Sequence, residues 1–276
     1  MNILITGANG FLGKHFEEYY AGKDHKVFSL GRQQLDVSNT RAVEKFFHNN
    51  HIDVILHTAI KGGRRGIPDT FDNFVENILM FQNLSSHSDG IRLMINFGSG
   101  AEFDRRYPIK NAKEEEIHES LPADYYGLAK NLITREIKKH SHIINLRLFG
   151  CFGKHEHQTR FIKNSLRRIR YGAPIIISQD REMDFFYVGD LLKVVDHFIE
   201  NGTSNMVDLN MCYETKSTLK TLAHEINVLT GASQDVIITD KNRAPCYTGS
   251  ARRLGELNLD LQGLSAGLRE MCNEYQ

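Results

Sequence analysis

The chain has 276 residues, 41% of them apolar and 25% charged, ordinary proportions for a globular protein and enough length for one large α/β domain or a domain plus a smaller lobe. Lysine plus arginine (34) equal aspartate plus glutamate (34), so bulk charge makes no case for nucleic acid or a membrane surface. No run approaches the ~18 uncharged apolar residues of a membrane span, and the cysteines (Cys151, Cys212, Cys246, Cys272) are far apart with no CxxC pair, so reduced thiols in a cytoplasmic protein are expected rather than a zinc site or disulfide framework.

The chain begins MNILITGANGFLG. A short apolar strand (Ile3, Leu4, Ile5) starts at once, so no leader peptide is expected, and it runs into glycines at 7, 10 and 13 ahead of an amphipathic segment. Glycine at these places lets the backbone turn tightly, approach a pyrophosphate closely and pack a helix against the strand. The helix N-terminus then presents N–H groups and a partial positive charge to the phosphates. Strand, glycine turn and helix together predict a bound dinucleotide.

Val27–Leu30 is the second predicted strand. NAD-preferring sites carry an acid at its end for the ribose 2′-hydroxyl; here the segment reads SLGRQQ, without an acid and with Arg32. A guanidinium suits a 2′-phosphate, so NADP(H) is expected ahead of NAD(H).

Asp53–His57 is a third strand, nearly all apolar, as a strand covered on both faces should be. A helix over Asp69–His87 follows, with Phe71, Phe74, Ile78, Phe81 and Leu84 on one side. Arg92–Phe97 is the fourth strand, Asp124–His140 is helical and Ile143–Phe149 is the fifth strand. Strands separated by helices predict an α/β fold, a doubly wound parallel sheet with right-handed crossovers.

After Gly153 the pattern changes. Thr159–Tyr171 is a basic helix; Pro174–Ser178, Phe185–Val188 and Met206–Asn210 read as short strands; Thr218–Thr230 and Leu264–Asn273 read as helices. The expected organisation is a dinucleotide-binding domain over 1–155, with 185–211 returning to it, and a small α/β substrate lobe in the rest of 156–276.

Tyr126 and Lys130 lie four apart in YYGLAK, which places both on one helix face. A phenol serves as a general acid or base only if its pKa is pulled down, and a lysine ammonium beside it favours the phenolate. Tyr19 and Lys23 share the spacing but end the first helix, away from the expected nicotinamide position. Ser99, in INFGSGAEF, falls just past the carboxyl end of the fourth strand, where doubly wound sheets bind ligands, and its hydroxyl can hydrogen-bond a substrate carbonyl. His155 and His157 form an HxH pair with no third ligand evident, so no metal is expected.

The order TGANGFLG, LDV (35–37), LHTA (56–59), FGSG (97–100), YYGLAK (125–130) and DFFYVGD (184–190) resembles the extended short-chain dehydrogenase/reductase family over nearly the whole chain. The run HTAIKGGRRG (57–66) and the helix carrying Asn77 are similar to its nucleotide-sugar 4-ketoreductases of the GDP-L-fucose synthase type. The resemblance implies a Rossmann fold with Ser99, Tyr126 and Lys130 as catalytic triad. It implies that Gly7, Asn9, Gly10, Phe11 and Leu12 line the pyrophosphate and that Asp36 and Val37 meet the adenine. Thr58, Ala59 and Lys61 would follow the cofactor backbone, and Leu148, Phe149 and Gly150 would face the nicotinamide. Arg160 and Arg168, on the basic helix, would hold the substrate diphosphate. Arg181 would stand in for a family arginine whose place is taken by Met183.

Two departures narrow the expected reaction. Sugar dehydratases of the family follow the catalytic hydroxyl residue with Asp-Glu, where this chain has Gly100 and Ala101. The cysteine and histidine that epimerise the sugar in GDP-fucose synthase fall at Ala101 and Arg160, with His155 and His157 close by as alternative acid–base groups. The expected function is therefore NADP(H)-dependent reduction of a 4-keto nucleotide sugar in deoxysugar or surface-glycan synthesis. The alternatives are a 4-epimerase with retained NAD and a non-catalytic NADP(H)-sensing regulator. The expected partners are a nucleotide-diphosphate sugar and, by resemblance through helices 69–88 and 124–140, a second copy of the chain.

Overall fold

The computed structural model describes residues 1–64 and 66–275. Its first half alternates strand and helix: β1 (Asn2–Thr6), α1 (Phe11–Ala21), β2 (Lys26–Leu30), α2 (Thr40–Asn49), β3 (Val54–His57), α3 (Phe71–Ser85) and β4 (Leu93–Ser99). Next come β5 (Ile109–Ala112), α4 (Tyr125–Ile137), β6 (Ile143–Leu148), β7 (Cys151–Phe152), α5 (Phe161–Arg170) and β8 (Ile175–Gln179). They are followed by β9 (Phe186–Tyr187), α6 (Val188–Asn201), β10 (Asp208–Met211) and α7 (Leu219–Thr230). The last elements are β11 (Val236–Asp240), β12 (Tyr247–Gly249), α8 (Arg252–Glu256) and α9 (Leu264–Tyr275).

Six strands form the central parallel sheet in the order β10-β6-β4-β3-β1-β2, the doubly wound arrangement expected. The register pairs Ile3 with Val54 and Val54 with Leu93, and Asn2 with Lys26. The chain passes from β2 back over β1 to β3, so the topological switch lies at the carboxyl ends of β1 and β3, where ligands of such sheets bind.

Side-chain alternation shows why buried polar groups collect at that end. Leu4, Ile55 and Met94 point to one face and pack with Val43, Phe81, Leu84 and Ile133. Two residues further along each strand, on the same face, stand Thr6, His57 and Asn96, all buried. The face changes from apolar to polar as the strands reach the switch point.

By contacts the chain divides into two compact units. The first comprises Met1–Arg106, Glu114–Arg147 and Leu192–Leu209; the second comprises Tyr107–Lys113, Leu148–Leu191 and Asn210–Gln276. The second unit contains the parallel pairs β8–β11, β5–β12 and β7–β9. Its core is built on Phe152, Ile162, Leu166, Leu222, Ile226 and Leu268.

Candidate active site

The turn after β1 owes its shape to glycine. Gly7 has φ +68°, and a Cβ there would lie 2.6 Å from Ala59 Cα. A Cβ on Gly13 would lie 2.5 Å from the Gly7 carbonyl oxygen, so these two glycines let the end of β3 and the first turn of α1 close on the loop. Helices α2, α3, α4 and α7 begin with Asn39, Thr70, Asp124 and Thr218, each accepting a backbone N–H through its side chain. Gly10, at the head of α1, offers no such cap. The first turn of α1 therefore keeps donors for an external anion, and the loop fits a pyrophosphate. Asn9 lies against the end of β2: a Cβ on Gly31 would come within 2.4 Å of its Nδ2. Phe11 packs edge-on against His15.

The segment after β2 is more acidic in space than in sequence. Arg32, largely exposed, contacts Asp36 at 3.3 Å and Glu76 of α3 at 3.3 Å, and Lys61 meets the same Glu76 at 3.3 Å. Desolvation works to raise the Asp36 carboxyl, but the Ser38 hydroxyl and N–H and the Arg32 guanidinium hold it below its ordinary value. The Val37 side chain joins the core, and its carbonyl accepts from Asn83. The Thr58 hydroxyl donates to the Thr6 carbonyl at 2.7 Å, and Asn77 brackets the Lys61 backbone with two hydrogen bonds.

Tyr126 and Lys130 both sit on α4, whose Asp124 cap accepts from Gly127 N at 2.8 Å. A Cβ on Gly127 would lie 2.4 Å from the Ala101 carbonyl, so the helix start rests on the turn that carries Ser99. Lys130 is buried and donates to the Phe97 carbonyl at 2.6 Å. Burial pushes its ammonium down to about 8, against the attraction of Glu102. The Tyr126 ring is covered by Gly63, which has φ +69° and whose added Cβ would fall 2.7 Å from Cε2. The other pair behaves differently. Tyr19, Tyr20 and Lys23 all converge on Asp196, and burial together with the Asp196 hydrogen bond raises the Tyr19 phenol despite Lys23.

Glu102 was not singled out in the sequence, nor was His57. Glu102 is fully buried and closes a capping box with Ser99, whose N–H donates to its Oε1 at 2.8 Å. Arg147 Nε reaches its Oε2 at 2.6 Å, and Thr134 and Asn145 complete the shell. The available signal was an arginine inside the apolar strand INLRLF, since a buried guanidinium requires a carboxylate. His57 contacts Thr6 Oγ1 through Nδ1 at 2.9 Å; burial first, then Lys130, pushes the imidazole down to about 3.

Leu148, Phe149, Gly150 and the three arginines belong to the second unit. Phe149 packs edge-on to Tyr247, and a Cβ on Gly150 would strike the Asp184 carbonyl at 2.7 Å. Arg160 occupies the N-cap of α5 without a capping bond. Arg168 donates to Asn164 and to the Pro174 carbonyl, and Arg181 stacks over Tyr247. Glu156, between the two histidines of the HEH run, accepts from Lys163 N, and burial pushes its carboxyl up to about 7 despite Arg160. Among the described residues, no His/Cys/Asp/Glu group of three or more is placed to hold a metal, and no helix is long and apolar enough to cross a membrane.

A model of the NAD dependent epimerase/dehydratase family matches residues 3–212. GDP-L-colitose synthase of Yersinia pseudotuberculosis is 25% identical over 234 residues, covering 76% of each chain. Among solved structures, GDP-mannoheptose C4 reductase from Campylobacter jejuni with NADP bound superposes with a TM-score of 0.83 at 19% identity, over 99% of this chain and 98% of that one. The GDP-L-fucose synthetase from Naegleria fowleri bound to NADP gives 0.83 at 17% identity, over 99% and 91%.

Proposed function

The chain belongs to the NAD dependent epimerase/dehydratase family, and from that premise we propose that it is an NADP(H)-dependent reductase of a 4-keto nucleotide-diphosphate sugar, acting in deoxysugar or surface-glycan synthesis. The observation that carries this reading is the seating of Tyr126 and buried Lys130 on one helix whose start rests against the Ser99 turn. The names of the colitose synthase and the C4 reductase favour the same substrate class.

Gly7, Asn9, Gly10, Phe11 and Leu12 would hold the pyrophosphate, and Arg32, Asp36 and Val37 the adenosine end. Thr58, Ala59, Lys61 and Leu148–Gly150 would line the path to the nicotinamide. The bound dinucleotide supplies a hydride to the keto carbon. Ser99 donates a hydrogen bond that orients the carbonyl. Tyr126 delivers a proton to its oxygen, and the Lys130 ammonium favours the phenolate left behind. Arg160, Arg168 and Arg181 would face the substrate diphosphate, Arg168 through guanidinium N–H groups other than those bonded to Asn164 and the Pro174 carbonyl. Gly100 and Ala101 stand where dehydratases carry Asp-Glu, and Ala101 and Arg160 where the epimerising cysteine and histidine stand, which favours simple reduction, with His155 and His157 the alternative acid–base groups for epimerisation.

The test is NADPH consumption with a panel of GDP-, dTDP-, CDP- and UDP-4-keto sugars. Tyr126→Phe is expected to lower turnover by roughly 10²–10⁴-fold with dinucleotide binding retained. Unchanged turnover in that variant removes the assignment. The carboxylates of Asp36 and Glu76 around Arg32 favour a second reading, a 4-epimerase with retained NAD. Such a protein would purify with NAD and leave NADPH unconsumed. A regulator sensing NADP(H) would bind the dinucleotide and turn over no keto sugar.

A further inference from the structure

We propose that Glu102 is the positioning residue of this reaction, a single buried carboxylate that fixes the Ser99 backbone with one oxygen and serves as counter-charge to Lys130. The inference rests on the reductase reading above. Glu102 ends the three-residue turn that follows β4, and none of its surface is exposed. Its Oε1 takes the Ser99 N–H at 2.8 Å. Its Oε2 takes the Thr134 hydroxyl at 2.9 Å, one helical turn after Lys130 on α4. Its main-chain carbonyl takes Asn131 Nδ2 at 2.8 Å, the residue next to Lys130. The residue therefore grips α4 beside the lysine and the serine turn at once.

Charge balance points the same way. Lys130, Glu102, Arg147 and Asp208 are all buried, and Glu102 stands between the two cations, attracting Lys130 and bonding Arg147 at 2.6 Å. Arg147 already has Asp208 at 2.9 Å. Two carboxylates around one guanidinium leave Glu102 with a charge that the Lys130 ammonium answers. The Lys130 ammonium donates to the Phe97 carbonyl, is attracted by Glu102 of the β4 turn and itself disfavours protonation of His57 on β3, while Arg147 of β6 and Asp208 of β10 continue the line of charges from Glu102. Glu102 is the one whose attraction opposes the effect of burial on the lysine. A purely architectural carboxylate would stabilise the fold and leave the titration of the reaction alone.

The experiment compares kcat against pH for wild type, Glu102→Gln, Thr134→Val and Tyr126→Phe, with folding checked by circular dichroism. Glu102→Gln keeps the shape and removes the charge. Its alkaline limb should move to lower pH by about one unit, with kcat on the plateau roughly 10–100-fold lower. Thr134→Val keeps the charge and takes one donor from the same carboxylate. Its kcat should fall about 3–10-fold at every pH with the limb in place. A folded Glu102→Gln enzyme with the wild-type limb and plateau overturns the proposal. If that variant does not fold, wild-type kcat in Thr134→Val overturns it. Full turnover in Tyr126→Phe instead overturns the reductase reading and this inference with it.

Discussion

Gly63 lies flat against the ring of Tyr126: a Cβ added to the glycine would sit 2.7 Å from Cε2 and 3.0 Å from Cζ of the phenol. The glycine also has φ +69°, and Asp69 holds its N–H at 2.7 Å. The loop after β3 is thus shaped to cover the proposed proton donor without displacing it. Gly63→Ala combines a ring displacement with left-handed strain of about 1–2 kcal/mol. A shift of about 1 Å in a reacting group costs up to ~10²-fold, so kcat should fall by roughly 10–100-fold, while the strain lowers the melting temperature by about 2–8 °C. Steady-state kinetics and a melting curve on one preparation check both halves.

Arg32 shares its guanidinium between Asp36 and Glu76. If Arg32 binds the 2′-phosphate as proposed, Arg32→Ala should raise KM for NADPH by about tenfold or more and leave KM for NADH nearly unchanged, because only the phosphorylated cofactor would lose a charge-assisted contact. Glu76→Gln should act in the opposite direction, relieving repulsion of the 2′-phosphate and lowering KM for NADPH. Equal effects on both cofactors would remove Arg32 from the ribose site.

Arg147 is fully buried between Glu102 and Asp208. Arg147→Met fills much of the volume but takes from Glu102 and Asp208 the guanidinium that both of them bind. Loss of one partner from a buried ionic set costs roughly 3–5 kcal/mol, so the urea midpoint should drop sharply. A midpoint within the error of wild type would show that the carboxylates take up protons at little cost.

The depressed imidazole of His57 carries a pH signature. Below its ordinary value of 6.5 the unfolded chain binds a proton there that the folded chain refuses until about pH 3. Acidification therefore favours unfolding, and between pH 8 and 5 this group alone removes about 2 kcal/mol. His57→Gln should flatten the stability curve over that interval by a similar amount. Urea titrations at the two pH values measure the difference, and parallel losses in both proteins would refute it.

On α3 and α4, Phe71, Leu79, Tyr125 and Leu132 are at least one-third exposed (58%, 38%, 42% and 36%), and Phe71 stacks with Phe74 against Tyr125. We propose this face as the contact in a homodimer. Leu79→Asp should convert a dimeric mass to a monomeric one in light scattering. A wild-type monomer at micromolar concentration would refute the assignment.

The amino-acid sequence by itself determined the features that depend on near neighbours. The glycine turn, the alternation of buried strands and amphipathic helices, and the shared face of Tyr126 and Lys130 all follow from spacing along a few residues. Even β3 and α4 differ from their expected bounds only at the ends. Short elements whose stability comes from a distant partner were not legible. β5 is four residues with two exposed, and it is a strand because β12 pairs with it.

The tertiary structure decided which charges meet. It gave the Tyr19–Lys23 pair to Asp196, placed Glu76 between Arg32 and Lys61, and committed Arg168 to the Pro174 carbonyl. It brought Glu102 under Arg147, 45 residues further along the chain, and so tied Ser99 to the helix of Lys130. Periodicity is a property of neighbouring residues and can be read along a line. The pairing of buried charges depends on which strands and helices become neighbours in space, and that is settled only when the sheet closes its order.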